Sequence, residues 1–153
     1  MDGDNYKSVI ALQVHPHQSA WVASNMYSLA EAYVFSVYQP LALYEGGDLV
    51  GFAMLCRHVE GDTLGEFFAG HFRPEYWISR FMIGQQYQGR GLGRDALNAI
   101  VARMSAAPDC HEVNLGVAAD NAQAIALYRN FGFEIGDRLP WGELHGRLRL
   151  EGT

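Results

Sequence analysis

Three glycines alternate with other residues at positions 89, 91 and 93, and arginines stand at 90 and 94. The residues that follow, Ala96, Leu97, Ile100, Val101 and Met104, recur at spacings of three and four, the period of an amphipathic helix. Before the glycines, Trp77-Ile78-Ser79-Arg80-Phe81-Met82-Ile83 is an apolar, aromatic run that reads as a buried strand. The unit is therefore strand, glycine-rich turn, helix. Such a turn sits at the positive end of a helix, where the first backbone N–H groups have no partner inside the helix. Glycine allows both the sharp bend and the close approach of a ligand. Arg90 and Arg94 stand where the dipole disfavours a cation, answered only by Asp95. A bound anion, a phosphate above all, resolves that conflict. A plain tight turn with two solvated arginines is the alternative.

The rest of the chain must position this unit. At 153 residues it is long enough for one domain with a sizeable core, and 49% apolar against 18% charged residues is ordinary for a soluble globular protein. A net charge of −6 argues against nucleic acid and mildly for a cationic partner. Cys56 and Cys110 lie far apart with no metal spacing and read as reduced thiols of a cytoplasmic protein. Neither a signal peptide nor a membrane-length apolar run is present, so no membrane partner is expected. The six histidines show no ligand spacing either, and no metal is expected.

Ser8 to Val14 reads as a first strand ending before Pro16, and Ser19 to Tyr33 as a helix with Val22, Met26, Leu29 and Tyr33 on one face. Leu41–Glu45 and Leu49–Arg57 form a hairpin across Gly46-Gly47-Asp48. Residues 58 to 75, with glycines at 61, 65 and 70 and Pro74, read as a long loop ordering on a ligand or a neighbouring subunit. After the central unit come a strand from His111 to Val117 and a helix from Asp120 to Phe131. Asp120 is the expected N-cap, with Gln123 three residues on, and Gly132 the helix stop. Strands at Phe133–Asp137 and Glu143–Leu150 complete a mixed α/β sheet, not a doubly wound one.

The turn lacks the Lys-Ser or Lys-Thr of a Walker loop, and neither its glycine spacing nor its downstream acids match the dinucleotide fingerprint. Gln88-x-x-Gly91-x-Gly93 after a strand resembles the acyl-CoA pyrophosphate loop of the GNAT superfamily of N-acetyltransferases. Downstream, Asn121, a small-residue helix, Leu127-Tyr128 and Gly132-Phe133 resemble a second hallmark of that superfamily. The two together cover residues 76 to 135. Ser28-Leu29-Ala30-Glu31-Ala32, Gly51-Phe52-Ala53-Met54, Arg80-Phe81-Met82-Ile83 and Tyr87-Gln88-Gly89 are most similar to bacterial diamine and spermine/spermidine acetyltransferases.

The resemblance implies a single GNAT-type domain over residues 1–153: a mostly antiparallel sheet with a parallel pair at the acyl-CoA site, flanked by helices. It implies acetyl-CoA as co-substrate, with the pantetheine arm along Arg80, Phe81, Met82 and Ile83 and a backbone N–H there on the thioester carbonyl. The pyrophosphate would rest on the amides of Gln88, Gly89, Arg90, Gly91, Leu92, Gly93 and Arg94. Asn121 would hold the pantetheine arm, and Tyr128 would face the sulfur. A phenol of pKa ~10 suits protonation of a departing thiolate, which makes Tyr128 the candidate general acid. From spacing alone, Tyr128 reads equally as a core tyrosine on the same helix face as Asn121.

An amine of pKa ~10 must lose a proton before it attacks. Some members of the superfamily place a glutamate on the central strand for this, but Trp77 to Arg80 contains no acid. Glu75 is nearest, Glu31 and Glu66 are outside candidates, and a water chain is equally open. Charge divides the chain. Six acids against Arg57 and Arg73 give −4 over residues 45–75, and four arginines against Asp95 give +3 over 76–105. An acidic acceptor side beside a basic cofactor loop suits a polycationic substrate. Tyr76, Trp77, Phe67, Phe68, Tyr33 and Trp21 are candidates for an aliphatic-amine channel with cation–π contacts, or for core.

The leading expectation is acetyl-CoA-dependent N-acetylation of a polyamine or diamine, with Glu31, Glu75 and Trp77 on the acceptor side. The alternatives are another small amine or a protein N-terminus as acceptor, or an acyl-CoA-binding module without turnover. Members of the superfamily often dimerise, so a homodimer to which loop 58–75 contributes is a further expectation.

Overall fold

Gly46 and Gly47 have φ of 55° and 91°, a region open mainly to glycine, and they turn strand β1 (Tyr38–Glu45) back on β2 (Asp48–His58). The computed structural model describes residues 1–58 and 75–151. Four further strands follow: β3 (Glu75–Ile83), β4 (Glu112–Val117), β5 (Glu134–Arg138) and β6 (Leu144–Arg149). The sheet runs β1-β2-β3-β4-β6-β5. Every neighbouring pair is antiparallel except β3 and β4, as expected for a mixed sheet with one parallel pair.

Both faces of the sheet are covered. On one side α1 (Tyr6–Ala11) and α2 (Asn25–Val34) bury Val9 and Leu12 against Phe52, Met54 and Met82. On the other, α3 (Leu92–Ser105) and α4 (Ala122–Phe131) pack Leu97, Ile100, Met104 and Tyr128 on Ala53, Leu55, Ile78, Val113 and Leu115. Alternation along β2 thus feeds two cores, and its residues Val50 to Cys56 are all buried. Leu97 and Ile100, with 0% and 2% exposure, each contribute about 1.5–3 kcal/mol by burial.

Three sequence expectations fail here. The first strand, Ser8–Val14, is instead the helix α1. An apolar run this short does not distinguish strand from helix, and Val9 and Leu12, three apart, meet the sheet only from a helix. The helix expected over Ser19–Tyr33 begins at Asn25, with the Ser24 hydroxyl accepting from Tyr27 N (3.2 Å). Its inward face carries Asn25, Ser28, Leu29 and Ala32, while Met26 and Tyr33 are exposed. A polar residue can lead that face because Asn25 Nδ2 donates to Val9 O (2.8 Å). The N-cap of α4 is Asn121, not Asp120: Asn121 Oδ1 accepts from Ala124 N (3.2 Å), and Asp120 Oδ1 accepts from Trp21 Nε1 (3.0 Å). The loop expected at 58–75 lies outside the described residues except at its two ends.

The feature that positions the site is a parting of strands. β3 pairs with β4 only at Tyr76–Val113, Trp77–Asn114 and Ile78–Leu115. At that point Leu55 pairs with Ile78 and Met54 with Arg80, so Ser79 is an extra, bulged residue. A bulge bends and twists its strand. Beyond it β3 stays with β2 while β4 stays with β6, and a gap opens between the two parallel strands.

Candidate active site

The gap is the mouth of a cleft of about 760 Å³. One wall is β3 from Ile78 to Ile83, whose edge away from β2 has no strand partner past Ile78 among the described residues. The other is the end of β4, Gly116 and Val117, with Asn121, Leu127 and Tyr128 of α4. The floor is the glycine turn with the start of α3, and the segment Gln18 to Ala23 closes the side.

At the turn, main-chain donors stand uncommitted. Among the described residues none of the backbone N–H groups from Gln88 to Arg94 donates to a protein acceptor. Gly89 and Gly91 both have φ of 77°, and Gly91 is the N-cap of α3, so the first amides of that helix open onto the cleft. A Cβ at Gly89 or Gly91 would meet nothing within 4 Å; the demand for glycine there is conformational. Gly93 serves differently, since a Cβ there would come 3.2 Å from Leu127 Cδ2 of α4, a close contact that the leucine end would have to yield to. A cradle of unpaired N–H groups on a helix N-terminus fits a diphosphate.

Side chains brace the turn. Gln88 Nε2 donates to Ile83 O (2.9 Å) and to Gln18 Oε1 (2.9 Å), and Gln18 Nε2 donates to Gln88 Oε1 (3.1 Å) and, at 3.4 Å, to Gln123 Oε1. Gln18 thereby ties the turn to α4. Arg90 donates to Gln86 O (3.1 Å) and lies over the Tyr87 ring, outside the cleft lining, whereas Arg94 lines it. Gln123, expected in a capping box with Asp120, is engaged by Gln18 instead.

Tyr128 is 7% exposed, packs edge-on against Phe133 and lines the cleft, and no described residue bonds its hydroxyl. Burial, with the nearby negative charge of Glu143, raises its pKa well above that of an ordinary phenol. It therefore keeps its proton at neutral pH. Asn121 uses Oδ1 on the cap of α4, which leaves Nδ2 for a cleft ligand.

The structure thus gathers Phe81, Met82, Ile83, Gln88, Gly89, Gly91, Leu92, Gly93, Arg94, Asn121 and Tyr128 around one cleft. Glu31, Glu75 and Trp77 are not in its lining. Glu31 Oε2 accepts from Arg80 (2.9 Å), which joins α2 to β3. Glu75 accepts from the indole of Trp77 (3.0 Å), whose ring stacks on His145 (5.3 Å) and lies 6.1 Å from Trp141. Tyr33 points to solvent, and Tyr76 bonds Asp109 (2.6 Å) and Arg57 (2.8 Å). Phe67, Phe68 and Glu66 lie outside the described residues. Trp21, a channel candidate from the sequence, lines the cleft, as do Gln18, Trp141 and Glu143, which carry no signal in the sequence. Glu143 and Gly116 lie far apart in sequence and meet only because β6 returns beside β4, so no local pattern announces them. Among the described residues no group of His, Cys, Asp and Glu could hold a metal ion, and no helix is long and apolar enough to cross a membrane.

This geometry has relatives. A spermine/spermidine N(1)-acetyltransferase of Bacillus subtilis is 33% identical over 90% of this chain and 87% of its own. A mycothiol acetyltransferase of Corynebacterium efficiens is 30% identical over 84% of this chain and 38% of its own. Among solved structures, the aminoglycoside acetyltransferase AAC(6')-Ib bound to coenzyme A superposes with a TM-score of 0.78 at 17% identity, covering 97% of this chain and 91% of the other. It shares the fold. The acetyltransferase (GNAT) family matches residues 6–133, and with the glycine turn, the parted strands and Tyr128 on one cleft, the chain belongs to that family of acyltransferases.

Proposed function

We propose that this chain transfers an acetyl group from acetyl-CoA to a primary amine, with a diamine or polyamine as acceptor. The observation that carries the reading is the row of uncommitted amides at 88–94 on the same cleft as the Tyr128 hydroxyl. The amides of Gln88 to Arg94 bind the diphosphate, with Arg94 adding positive charge at its rim. The free edge of β3, at Phe81, Met82 and Ile83, pairs with the pantetheine amides and aims an N–H at the thioester oxygen as charge develops there. Asn121 Nδ2 steadies the same arm.

Attack by the amine lone pair forms the N–C bond, the C–S bond breaks, and the thiolate takes the Tyr128 proton. The proton lost by the amine leaves to solvent, and the Tyr128 phenolate takes one back from solvent. Because burial keeps Tyr128 protonated, the acid is in its working state throughout the neutral range. The polyamine acceptor is supported by the similarity to the Bacillus subtilis enzyme over nearly the whole chain. A second acceptor class, another small amine, is supported by the similarity to mycothiol acetyltransferase.

Thiol release from acetyl-CoA, followed with spermidine, spermine, short diamines, an aminoglycoside and amino acids, tests both readings. The expected result is amine-dependent release, fastest with the polyamines. Release with none of these amines, from protein that binds coenzyme A, would leave the reading without support.

A further inference from the structure

Beyond Tyr128 the cleft ends at a carboxylate that the chemistry above does not use. Glu143 lies in the approach to β6, and its Oε2 accepts from the indole N–H of Trp141 (2.7 Å). That oxygen sits directly over Gly116, where a Cβ would be only 2.2 Å away. Among the described residues Oε1 accepts no hydrogen bond, and both Glu143 and Trp141 line the cleft beside Tyr128. One oxygen is thus fixed by an indole, while the other has no protein donor among the described residues.

We propose that Glu143 is the ammonium-binding group of the acceptor subsite, with Trp141 holding the carboxylate and offering its ring to the acceptor's methylenes. The inference rests on the amine-acetyltransferase reading above and names the group that selects a cationic acceptor. A half-satisfied carboxylate at the edge of the cleft favours an N⁺–H donor over a neutral one. The ring beside it favours a cation joined to an alkyl chain. Glycine at 116 leaves the carboxylate room to lie across β4. The arrangement also links the acceptor to the acid. In the free protein Glu143 adds to the burial that holds the Tyr128 proton. A cation on Oε1 cancels that contribution and eases the phenol toward donation as the acceptor arrives.

Glu143→Gln keeps the shape and can still accept from Trp141, so it removes charge alone. The expected result is a rise in KM for spermidine of roughly tenfold to a hundredfold, with kcat and the KM for acetyl-CoA little changed. Calorimetry of spermidine with the coenzyme A-loaded protein reads the same loss without turnover. Gly116→Ala displaces the carboxylate and should move the KM for spermidine in the same direction. The double variant should then be little worse than Glu143→Gln, as for residues acting as one unit. Unchanged spermidine KM and binding in Glu143→Gln would overturn the assignment while leaving the acetyltransferase reading intact. If the wild type acetylates no amine, that reading fails and calorimetry still decides. Spermidine binding that depends on Glu143 supports the subsite; its absence from the wild type, or its persistence in the variant, refutes it.

Discussion

At residues 88–94 the cleft presents main-chain N–H groups, whereas past Ile78 and Gly116 it presents the side chains of Tyr128, Trp141 and Glu143. The donor end is held by backbone geometry: positive φ at Gly89 and Gly91, a helix N-terminus, and a strand edge freed by the bulge at Ser79. Its side chains are mostly occupied elsewhere, Gln88 with Ile83 O and Arg90 with Gln86 O. The acceptor end depends on what each residue is. A single substitution there should alter what the cleft accepts, whereas the turn should tolerate side-chain changes that leave the backbone path intact. One fold can therefore keep its donor and vary its acceptor.

The sharpest way to separate the two ends is Tyr128→Phe. It removes the hydroxyl proposed as proton donor without touching the amides, so kcat should fall by about 10²–10⁴-fold while coenzyme A affinity stays near that of the wild type. Equal turnover in steady-state assays would remove Tyr128 from the chemistry. Gly91→Val does the opposite. A β-branched residue at φ of 77° is strained, the turn must change path, and the amides no longer converge. Coenzyme A affinity, measured by calorimetry, should drop on the order of 100-fold, with spermidine binding to the apo protein less affected. Unchanged affinity would contradict the phosphate assignment. Asn121→Ala touches the donor end more lightly. It loses the cap of α4, about 1 kcal/mol of stability readable by urea unfolding, and should raise the KM for acetyl-CoA several-fold with kcat less affected.

The same contrast governs how much of the molecule could be read from the chain. The glycine turn is legible because its signals are local. Gln88, Gly91 and Gly93 are within six residues of one another, and the strand and helix around them announce their periods. Gly46-Gly47 announced the hairpin for a similar reason. The acceptor end was not legible. Glu143 meets Gly116 only through the β4–β6 pairing, and Gln18 meets Gln88 and Gln123 only when the segment before α2 folds over the cleft. The misread elements follow the same rule. Ser8–Val14 carries too short an apolar run for its period to decide, and the inward face of α2 begins with Asn25, whose partner is a distant carbonyl. Asp120 is a cap by residue type, but its oxygen is drawn off by Trp21.

The smallest expected effect lies on the acceptor side and is set by pH. His145 Nε2 is 2.7 Å from Asn114 Oδ1, and the Asn114 amide donates to Tyr76 O. The asparagine oxygen is therefore the acceptor and Nε2 carries the proton. Burial first, then Arg147, lowers the pKa of His145 from its ordinary 6.5, against smaller opposing contributions from Glu112, Glu75 and Asp137. The unfolded chain takes up this proton near pH 6.5 and the folded chain only at lower pH, so between the two values the unfolded state binds more protons. Stability must then rise with pH across that window and be lost on acidification below about 6.5. In His145→Gln that proton is gone, so the fall in Tm on acidification below about pH 6.5 should be shallower than in the wild type, as read by thermal unfolding. Parallel curves would show that His145 does not titrate differently in the fold. Since His145 stacks on Trp77, next to Trp141, acid should also weaken amine binding before it weakens coenzyme A binding, whose amides do not titrate.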